Sequence, residues 1–197
     1  MACCAAAPES TADAADLSDQ NLATRRLLLR PFSVEDVDAI VSAAGDELIQ
    51  RWLPLPRPYT QDDAVDWCTV QAPGARTSGA GLARAITCDG LLVGAIDLKR
   101  TDWAAGVTEI GYWAAPEARG NGYLAEATEA LARWTLAEVG FHRVELRIAT
   151  GNTASRRVAE KAGFRAEGVA RSAGYVHGGR VDLVIYSLVR SDLGLPI

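Results

Sequence analysis

The sequence contains few of the residues that build metal centres, disulfide frameworks or membrane anchors. It has two histidines and four cysteines in 197 residues, and His142 and His177 lie too far apart along the chain to suggest a metal-ligand pair. No apolar run approaches the roughly 18 residues that identify a transmembrane helix. These absences argue against a metal-binding module, a disulfide-stapled secreted domain and a membrane-spanning protein.

Positive charge is also in short supply. Twenty lysines and arginines stand against 25 acidic residues, for a net charge of −5. We therefore expect no nucleic-acid partner, because phosphate backbones are bound by basic surfaces. A mildly acidic balance is compatible with a cationic substrate, although it more commonly serves solubility.

The cysteines and the N-terminus indicate a cytoplasmic protein with reduced thiols. Cys3 and Cys4 are adjacent near the start of the chain, and the other two cysteines stand alone in apolar surroundings. The alanine-rich stretch 1–21 carries four acidic residues and has no basic flank before an apolar core, so we expect no secretory signal. We expect residues 1–21 to form a flexible tail and residues 22–197 to form one domain.

Local patterns predict a mixed α/β fold. A first strand ends at Pro31, and two helices begin at Ser33 and Thr60, each followed three residues later by an aspartate that completes a capping box. Asp89-Gly90 predicts a hairpin between two strands. The further predicted elements are a strand at 108–113, a helix at 123–139, a strand at 142–149, a helix at 152–163, and closing strands at 164–175 and 181–189. This order predicts a mostly antiparallel central sheet flanked by helices.

The most informative stretch is a glycine-containing turn at Glu117–Glu126, which reads Glu-Ala-Arg-Gly-Asn-Gly-Tyr-Leu-Ala-Glu. It follows the strand-like run Glu109–Trp113 and precedes the long helix. The first amides of a helix have no intrahelical acceptor, and the helix dipole adds partial positive charge at the same place. The turn therefore predicts a site for a phosphorylated ligand.

A dinucleotide-binding fingerprint is one interpretation of this turn. Gly120, Gly122 and Ala125 satisfy its relaxed spacing, and Glu145 lies at a suitable distance to hold a ribose. Six residues that include Pro116 separate the strand from the first glycine, however, and too little chain follows to build a doubly wound sheet. We therefore disfavour a nicotinamide or flavin site. A turn without any ligand is the remaining alternative.

The same turn is one of five segments that together resemble a known family. The segments are Leu22–Pro31, Glu109–Tyr112 with Arg119–Tyr123 and Glu126-Ala127, Asn152–Ser155, Glu160–Phe164, and Gly178–Asp182 with Tyr186. In this order they resemble the GNAT N-acetyltransferase superfamily, and the first and last segments are similar to its RimJ/RimL-like branch. The resemblance covers almost the whole predicted domain and implies the GNAT-like acyl-CoA N-acyltransferase fold.

The resemblance implies acetyl-CoA as cosubstrate and no metal. Backbone amides of the glycine turn would hold the pyrophosphate, and the cleft beside the preceding strand would take the pantetheine arm. Glu117 occupies a position where the family usually has glutamine or arginine, so it receives no binding role. Asn152 would contact the arm, and a helix N-cap is the alternative role for its side chain. The expected cofactor-binding residues are Trp113, Ala114, Arg119, Gly120, Asn121, Gly122, Tyr123, Leu124 and Asn152.

The resemblance also assigns two catalytic residues. An amine must lose its proton before it attacks a thioester, so a general base is useful. Glu109 occupies the strand position that often supplies this base, and an exposed strand glutamate is the alternative. Ala159 stands where many relatives have a tyrosine acid, and Ser155 is the substitute that the RimJ/RimL-like branch suggests. A helix-capping role for Ser155 is the alternative.

The acceptor amine is the least determined part of the hypothesis. The position of each residue in the implied fold places Trp52, Leu55, Tyr59, Tyr175 and His177 in the substrate pocket. The first choice is a protein N-terminal α-amine, and the alternatives are a small cationic amine, such as an antibiotic or polyamine, and a non-catalytic CoA-binding sensor. A homodimer is compatible with the sequence, which carries no signal for it.

Overall fold

The protein folds into an eight-stranded sheet with helices on both of its faces. The computed structural model describes Leu17 and residues 20–196. The strands are β1 Leu22–Ala23, β2 Leu28–Arg30, β3 Leu82–Cys88, β4 Leu91–Asp102, β5 Val107–Ala114, β6 Arg143–Ala149, β7 Arg165–Val176 and β8 Gly179–Val189. The helices are α1 Val37–Ala44, α2 Glu47–Trp52, α3 Gln61–Asp66, α4 Ala72–Thr77, α5 Tyr123–Ala137 and α6 Thr153–Lys161; α3 and α4 are joined by the π-helical segment Trp67–Gln71.

The strand order is β1-β2-β3-β4-β5-β6-β8-β7. Every neighbouring pair is antiparallel except β5 and β6, which run parallel. This arrangement confirms the mixed, mostly antiparallel sheet. It also rules out the doubly wound sheet that a dinucleotide fingerprint requires, because such a sheet is built from consecutive parallel strands.

Most local predictions are found at the expected positions. The hairpin turns at Asp89-Gly90, Ser33 forms the expected capping box with Asp36, and Gly140 follows α5 with a left-handed φ of +90°. Along β6 the residues 144, 146 and 148 are buried and the residues 143, 145 and 147 are half-buried, which is the alternation typical of a strand with one buried face.

Two features differ from the expectation. The first strand, predicted at Thr24–Arg30, is shortened to β2, and β1 lies before it, because the side chain of Thr24 accepts from Leu27 N at 3.0 Å and closes a turn between them. Helix α2 was not predicted at all. It begins at Asp46, whose carboxylate accepts from Leu48 N and Ile49 N, and its six residues are too few for a periodic pattern to stand out.

Two apolar clusters lie on the two faces of the sheet. The larger cluster packs α5 and α6 against inward-facing residues of β4, β5 and β6, among them Ile96, Ile110 and Leu146. The smaller packs α1 and α3 on the opposite face, with Trp113 against it. Leu17 is 1% exposed and belongs to the larger cluster, so core packing reaches back into the stretch predicted as a tail. Residues 1–16, 18 and 19 lie outside the described residues.

Candidate active site

The two parallel strands at the centre of the sheet separate after a short paired region. β5 pairs with β6 only through Val107–Glu109 against 143–145, and beyond that point neither strand pairs with the other. The gap between their diverging ends opens into a cleft of about 620 Å³. Helix α2 and the N-terminal ends of α5 and α6 provide the other walls of the cleft.

The glycine turn forms one end of the cleft and leads into α5. Gly120 and Gly122 have left-handed φ values of +82° and +78°, which glycine adopts at little cost. The first hydrogen bond of the helix runs from Glu126 N to Gly122 O at 3.2 Å. In the described part of the chain, the amides of Tyr123, Leu124 and Ala125 have no hydrogen-bond acceptor. These amides are therefore available to an anionic ligand.

The turn is held in place by a network around Glu126 that comes from the connection between β1 and β2. Arg26 donates from Nε to Glu126 at 2.7 Å and from its guanidinium to Asn121 O at 3.1 Å. Thr24 Oγ1 donates to the same carboxylate at 2.7 Å. Burial opposes ionisation of Glu126, but the hydrogen bonds from Thr24 and Arg26 outweigh it and lower the pKa of the carboxyl.

Helix α2 braces the turn from the other side of the cleft. The guanidinium of Arg119 pairs with Asp46, the residue that caps α2. The hydrogen bond from Arg119 is the main reason that the pKa of Asp46 is lowered. At the other end of α2, the ring of Trp52 lies against the turn at Gly151. An aspartate followed by an acidic first helical turn was the available sequence signal for this helix.

The structure brings together nearly all of the residues expected to bind acetyl-CoA. The cleft is lined by Trp113, Ala114, Arg119, Gly120, Gly122, Tyr123, Leu124 and Asn152. Asn121 is exposed, and its side chain donates back to Ala118 O at 3.2 Å. Asn152 accepts from Ser155 N at 3.1 Å, so its carbonyl oxygen caps α6 while its amide nitrogen has no hydrogen-bond acceptor among the described residues. The cap and a ligand contact are thus compatible.

The backbone of β5 presents hydrogen-bonding groups to the cleft at alternate residues. Ala115 N donates to Val93 O on β4 at 3.0 Å. Successive residues of an antiparallel strand direct their backbone groups to opposite edges, so those of Ala114 and Tyr112 are expected at the cleft edge. Trp113 lines the cleft, but by the same alternation its backbone groups are expected on the β4 side.

Glu109 lies where the two strands separate. Its side chain is 10% exposed and is surrounded by three cations, Lys99, Arg100 and Arg147, at 3.5, 3.4 and 3.8 Å. Within the described residues, its Oε2 atom has no hydrogen-bond partner. Burial raises the pKa of Glu109, and the three cations oppose that rise without cancelling it. A buried carboxylate with a raised pKa is closer to the pKa that suits a general base near neutral pH.

Tyr112 and Ser155 form a hydroxyl pair on the other side of the cleft. Their side-chain oxygens are 2.9 Å apart, and the tyrosine hydroxyl also donates to Ser155 O at 3.1 Å. Burial raises the pKa of Tyr112, so its phenol stays protonated at neutral pH. The sequence analysis assigned Tyr112 no catalytic role, and only the fold brings it to a serine 43 positions away.

Glu109 and the hydroxyl pair of Tyr112 and Ser155 lie on opposite faces of the sheet. Side chains alternate between faces along a strand, so Glu109 shares a face with its cross-strand neighbour Lys99 and with Arg147. Tyr112 and Leu146 belong to the other face, against which α5 and α6 pack. The gap between β5 and β6 connects the two faces, so one ligand can approach from each side.

The residues expected in the acceptor pocket are divided between several places. Trp52 lines the cleft, whereas Tyr59 and His177 line a second cavity of about 710 Å³. The ring of His177 lies 3.0 Å from Leu55 O. Tyr175 is 65% exposed and lines neither cavity. The two cavities share Arg51, which lines both.

Alternative chemistries find little support in the described residues. Glu145, the candidate ribose ligand, pairs with Arg143 at 2.7 Å. No group of three histidine, cysteine or acidic side chains there could hold a metal ion, and no helix there is long and apolar enough to cross a membrane. Cys68 is buried, which raises the pKa of its thiol to about 11, so it is not a nucleophile at neutral pH.

Comparison with known proteins identifies the family. The Acetyltransferase (GNAT) domain family matches residues 26–165. The chain is 39% identical over 112 residues to "Putative ribosomal N-acetyltransferase YdaF" of Bacillus subtilis (strain 168), a match that spans 57% of this chain but only 61% of YdaF. "Uncharacterized N-acetyltransferase YoaA" of the same organism is 29% identical over 172 residues, which cover 86% of this chain and 96% of YoaA.

A solved structure supports the same placement. RimJ of Mycobacterium smegmatis, in complex with CoA-disulfide, matches with a TM-score of 0.78 at 25% identity, over 85% of this chain and 83% of RimJ. The cleft fits the same ligand class, since it offers free helix amides at a glycine turn where an added Cβ at Gly120 would meet no atom of the chain. The chain therefore belongs to the GNAT acetyltransferase family, in its RimJ/RimL-like branch, and acetyl-CoA is the acyl donor that this family uses.

Proposed function

We propose that this protein transfers the acetyl group of acetyl-CoA to the α-amine of a protein N-terminus. The observation that carries the proposal is the position of Glu109, a buried carboxylate with a raised pKa at the point where β5 and β6 separate. It lies in the same cleft as the free amides at the start of α5 and the hydroxyl pair of Tyr112 and Ser155. A base, an anion-binding turn and a proton donor are the groups that acetyl transfer to an amine needs.

In the proposed reaction each group has one task. The amides of Tyr123, Leu124 and Ala125 bind phosphate oxygens, and backbone groups of Ala114 hold the pantetheine arm. Glu109 accepts a proton from the incoming ammonium group, directly or through one water. The nitrogen then attacks the thioester carbonyl and forms the C–N bond. As the C–S bond breaks, the nitrogen releases its second proton to water.

The departing thiolate takes a proton from the hydroxyl pair. Ser155 Oγ donates this proton and receives one from Tyr112 across their 2.9 Å contact, in which either oxygen can be the donor. Water then returns to Tyr112 the second proton that the nitrogen released. This arrangement supplies an acid although Ala159 replaces the tyrosine of many relatives. The side chain of Ala159 is fully buried and does not line the cleft.

An α-amine suits this base better than a lysine side chain does. An α-amine has a pKa near 8 and a lysine amine one near 10.4, so less free energy is needed to deprotonate the α-amine at neutral pH. Three cations around Glu109 would also repel a polyamine. The name of YdaF describes a ribosomal N-acetyltransferase, which agrees with a protein as the acceptor.

The test compares three acceptors in an assay of thiol release from acetyl-CoA. The first is a lysine-free peptide with an unblocked N-terminus, the second is the same peptide with a blocked N-terminus and one internal lysine, and the third is spermidine. We expect turnover of the first peptide, with mass spectrometry placing the acetyl group on its α-amine. Turnover of spermidine alone would identify a small-amine acetyltransferase. CoA binding without any turnover would identify a sensor.

A further inference from the structure

We propose that Lys99 and Arg147 form a carboxylate-binding subsite beside Glu109, which selects N-terminal acceptors that carry an acidic residue next to the amine. The inference rests on the proposed function and names the acceptor class more narrowly. Both cations line the cleft together with Glu109. They lie on the face of the sheet opposite α5 and α6, which is the face left to the acceptor when the glycine turn binds the donor.

Arg147 has unused hydrogen-bonding capacity. It approaches Glu109 at 3.8 Å, which is beyond hydrogen-bond distance, and its buried Nε atom has no hydrogen-bond partner in the described part of the protein. An arginine presents five donors in a planar fork that matches a carboxylate. A buried donor such as this Nε–H costs free energy when it is unsatisfied, unless a ligand supplies the acceptor.

An irregularity in the backbone of β4 brings two consecutive cations, Lys99 and Arg100, to the same carboxylate. Lys99 and Arg100 are consecutive, yet both approach Glu109, whereas consecutive side chains of a regular strand lie on opposite faces. The register of β4 against β5 shifts after Lys99, and Arg100 has a left-handed φ of +51°. Such a conformation is unfavourable for a residue other than glycine, so the fold accepts local strain at the place where it gathers these charges.

The charges on this face favour an anion. Three cations surround one ionised base, so two positive charges remain unbalanced there. Asp97 and Glu145 also lie on this face and do not line the cleft, and Glu145 is paired with Arg143 at 2.7 Å. Burial raises the pKa of Asp97, which favours its neutral form, although Lys99 opposes the rise. An acceptor with a second positive charge would meet repulsion, and one with a carboxylate would meet a partner.

The subsite is within reach of the second residue of a bound peptide. Consecutive Cα atoms are about 3.8 Å apart, so a short acidic side chain at the second position lies close to the groups that touch Glu109. The same subsite would accept the α-carboxylate of a free amino acid. These two sources share one chemistry and are separated by experiment.

The experiment uses three amidated peptides that differ only at the second residue, which is glutamate, glutamine or lysine. We expect kcat/KM for the glutamate peptide to exceed that for its glutamine isostere by at least about tenfold, chiefly through KM, with the lysine peptide lowest. A charge-assisted hydrogen-bond pair produces a preference of this size. Equal values for glutamate and glutamine peptides would overturn the proposal.

Substitutions of the two cations distinguish a role in binding the carboxylate of the acceptor from an effect on the pKa of Glu109. In Arg147→Gln and Lys99→Gln we expect the glutamate preference to fall towards unity, with partial recovery in Arg147→Lys. Arg133→Gln is the matched control, since it removes the same charge from an exposed position on α5 and should leave the preference unchanged. If Arg147→Gln instead shifts the acid limb of the pH profile equally for all peptides and keeps their ranking, the carboxylate subsite is wrong.

A last comparison separates failure of this inference from failure of the proposed function. Serine and serinamide differ only in the free carboxylate. Acetylation of serine in preference to serinamide, without turnover of any peptide, would retain the subsite and overturn the protein N-terminus as acceptor. Acetylation of all peptides at equal rates would retain the proposed function and overturn the subsite.

Discussion

Substituting Gly120 by alanine tests the donor site directly, and Gly140 provides a matched control. The two glycines lie beyond opposite ends of α5, which is about 22 Å long at 1.5 Å per residue. Their φ values are +82° and +90°, and at neither position would an added Cβ meet an atom of the chain within 4 Å. The two substitutions therefore impose nearly the same backbone strain and differ in what lies outside the chain.

The structure sets the size of both effects. A left-handed conformation costs an alanine about 1–2 kcal/mol, which lowers Tm by roughly 2–8 °C in a chain of this size. We expect this loss in both variants. Gly120 also lines the cleft, so we expect its added methyl group to intrude on a phosphate bound by the free amides of α5. Loss of one hydrogen bond to a charged group costs about 1.5–3 kcal/mol, or about ten- to hundredfold in Kd.

Thermal unfolding without ligand and calorimetric titration with CoA measure the two effects separately. The expected result is a similar fall in Tm for both variants and a weaker affinity for CoA only in Gly120→Ala. If Gly120→Ala binds CoA as tightly as Gly140→Ala does, the glycine turn is not the phosphate site and the placement of the donor in the cleft is wrong.

The other predictions concern the catalytic groups and the core. Glu109→Gln should lower kcat/KM at pH 7 by about 10²–10⁴-fold and abolish the acid limb of its pH profile, which lies above the ordinary glutamate pKa because burial raises that of Glu109; the same change at its strand neighbour Glu145 should keep the limb. Tyr112→Phe should lower kcat about ten- to hundredfold with little change in the KM of the amine, and an unchanged kcat would remove tyrosine from the proton path. Asp36→Asn, which breaks a bidentate pair with Arg30 at 2.7 and 2.8 Å, should cost about 2 kcal/mol in urea unfolding at pH 7. Burial opposes ionisation of Asp36, but Arg30 lowers its pKa, so its stabilisation is present above about pH 4 and disappears in more acidic solution; a constant difference between wild type and variant down to pH 2 would contradict this account.

Structural features that depend on residues close together along the chain were predictable from the sequence. Asp89-Gly90 forms its hairpin, because the turn needs left-handed residues and few residues adopt that conformation. The alternation along β6 follows from burial of one of its faces. The start of α2 at Asp46 was missed, since six helical residues followed by a proline-rich loop leave almost no periodic signal.

The segments of the chain that form the candidate site were predictable from the sequence. The contacts between side chains of different segments were not. The glycine turn and its order relative to Asn152 and the Gly163-Phe164 end of α6 identify a binding element, since helix amides bind phosphate wherever the turn occurs. The acceptor residues had no such local signature. Their predicted grouping depended on position alone, and the structure distributes Tyr59 and His177 to a second cavity.

The sequence by itself determined the local elements of this protein: its strands and most of its helices, the helix caps, and the turn whose free amides suit a phosphate. These depend on residues a few positions apart, whose hydrogen bonds and side-chain periods are the same in any fold. Only the tertiary structure decided that Glu109 is surrounded by Lys99, Arg100 and Arg147, and that Tyr112 meets Ser155. The physical reason is that strand register and the divergence of β5 from β6 are set by packing of the whole sheet against its helices. That packing converts exposed polar residues into a desolvated base and a paired acid.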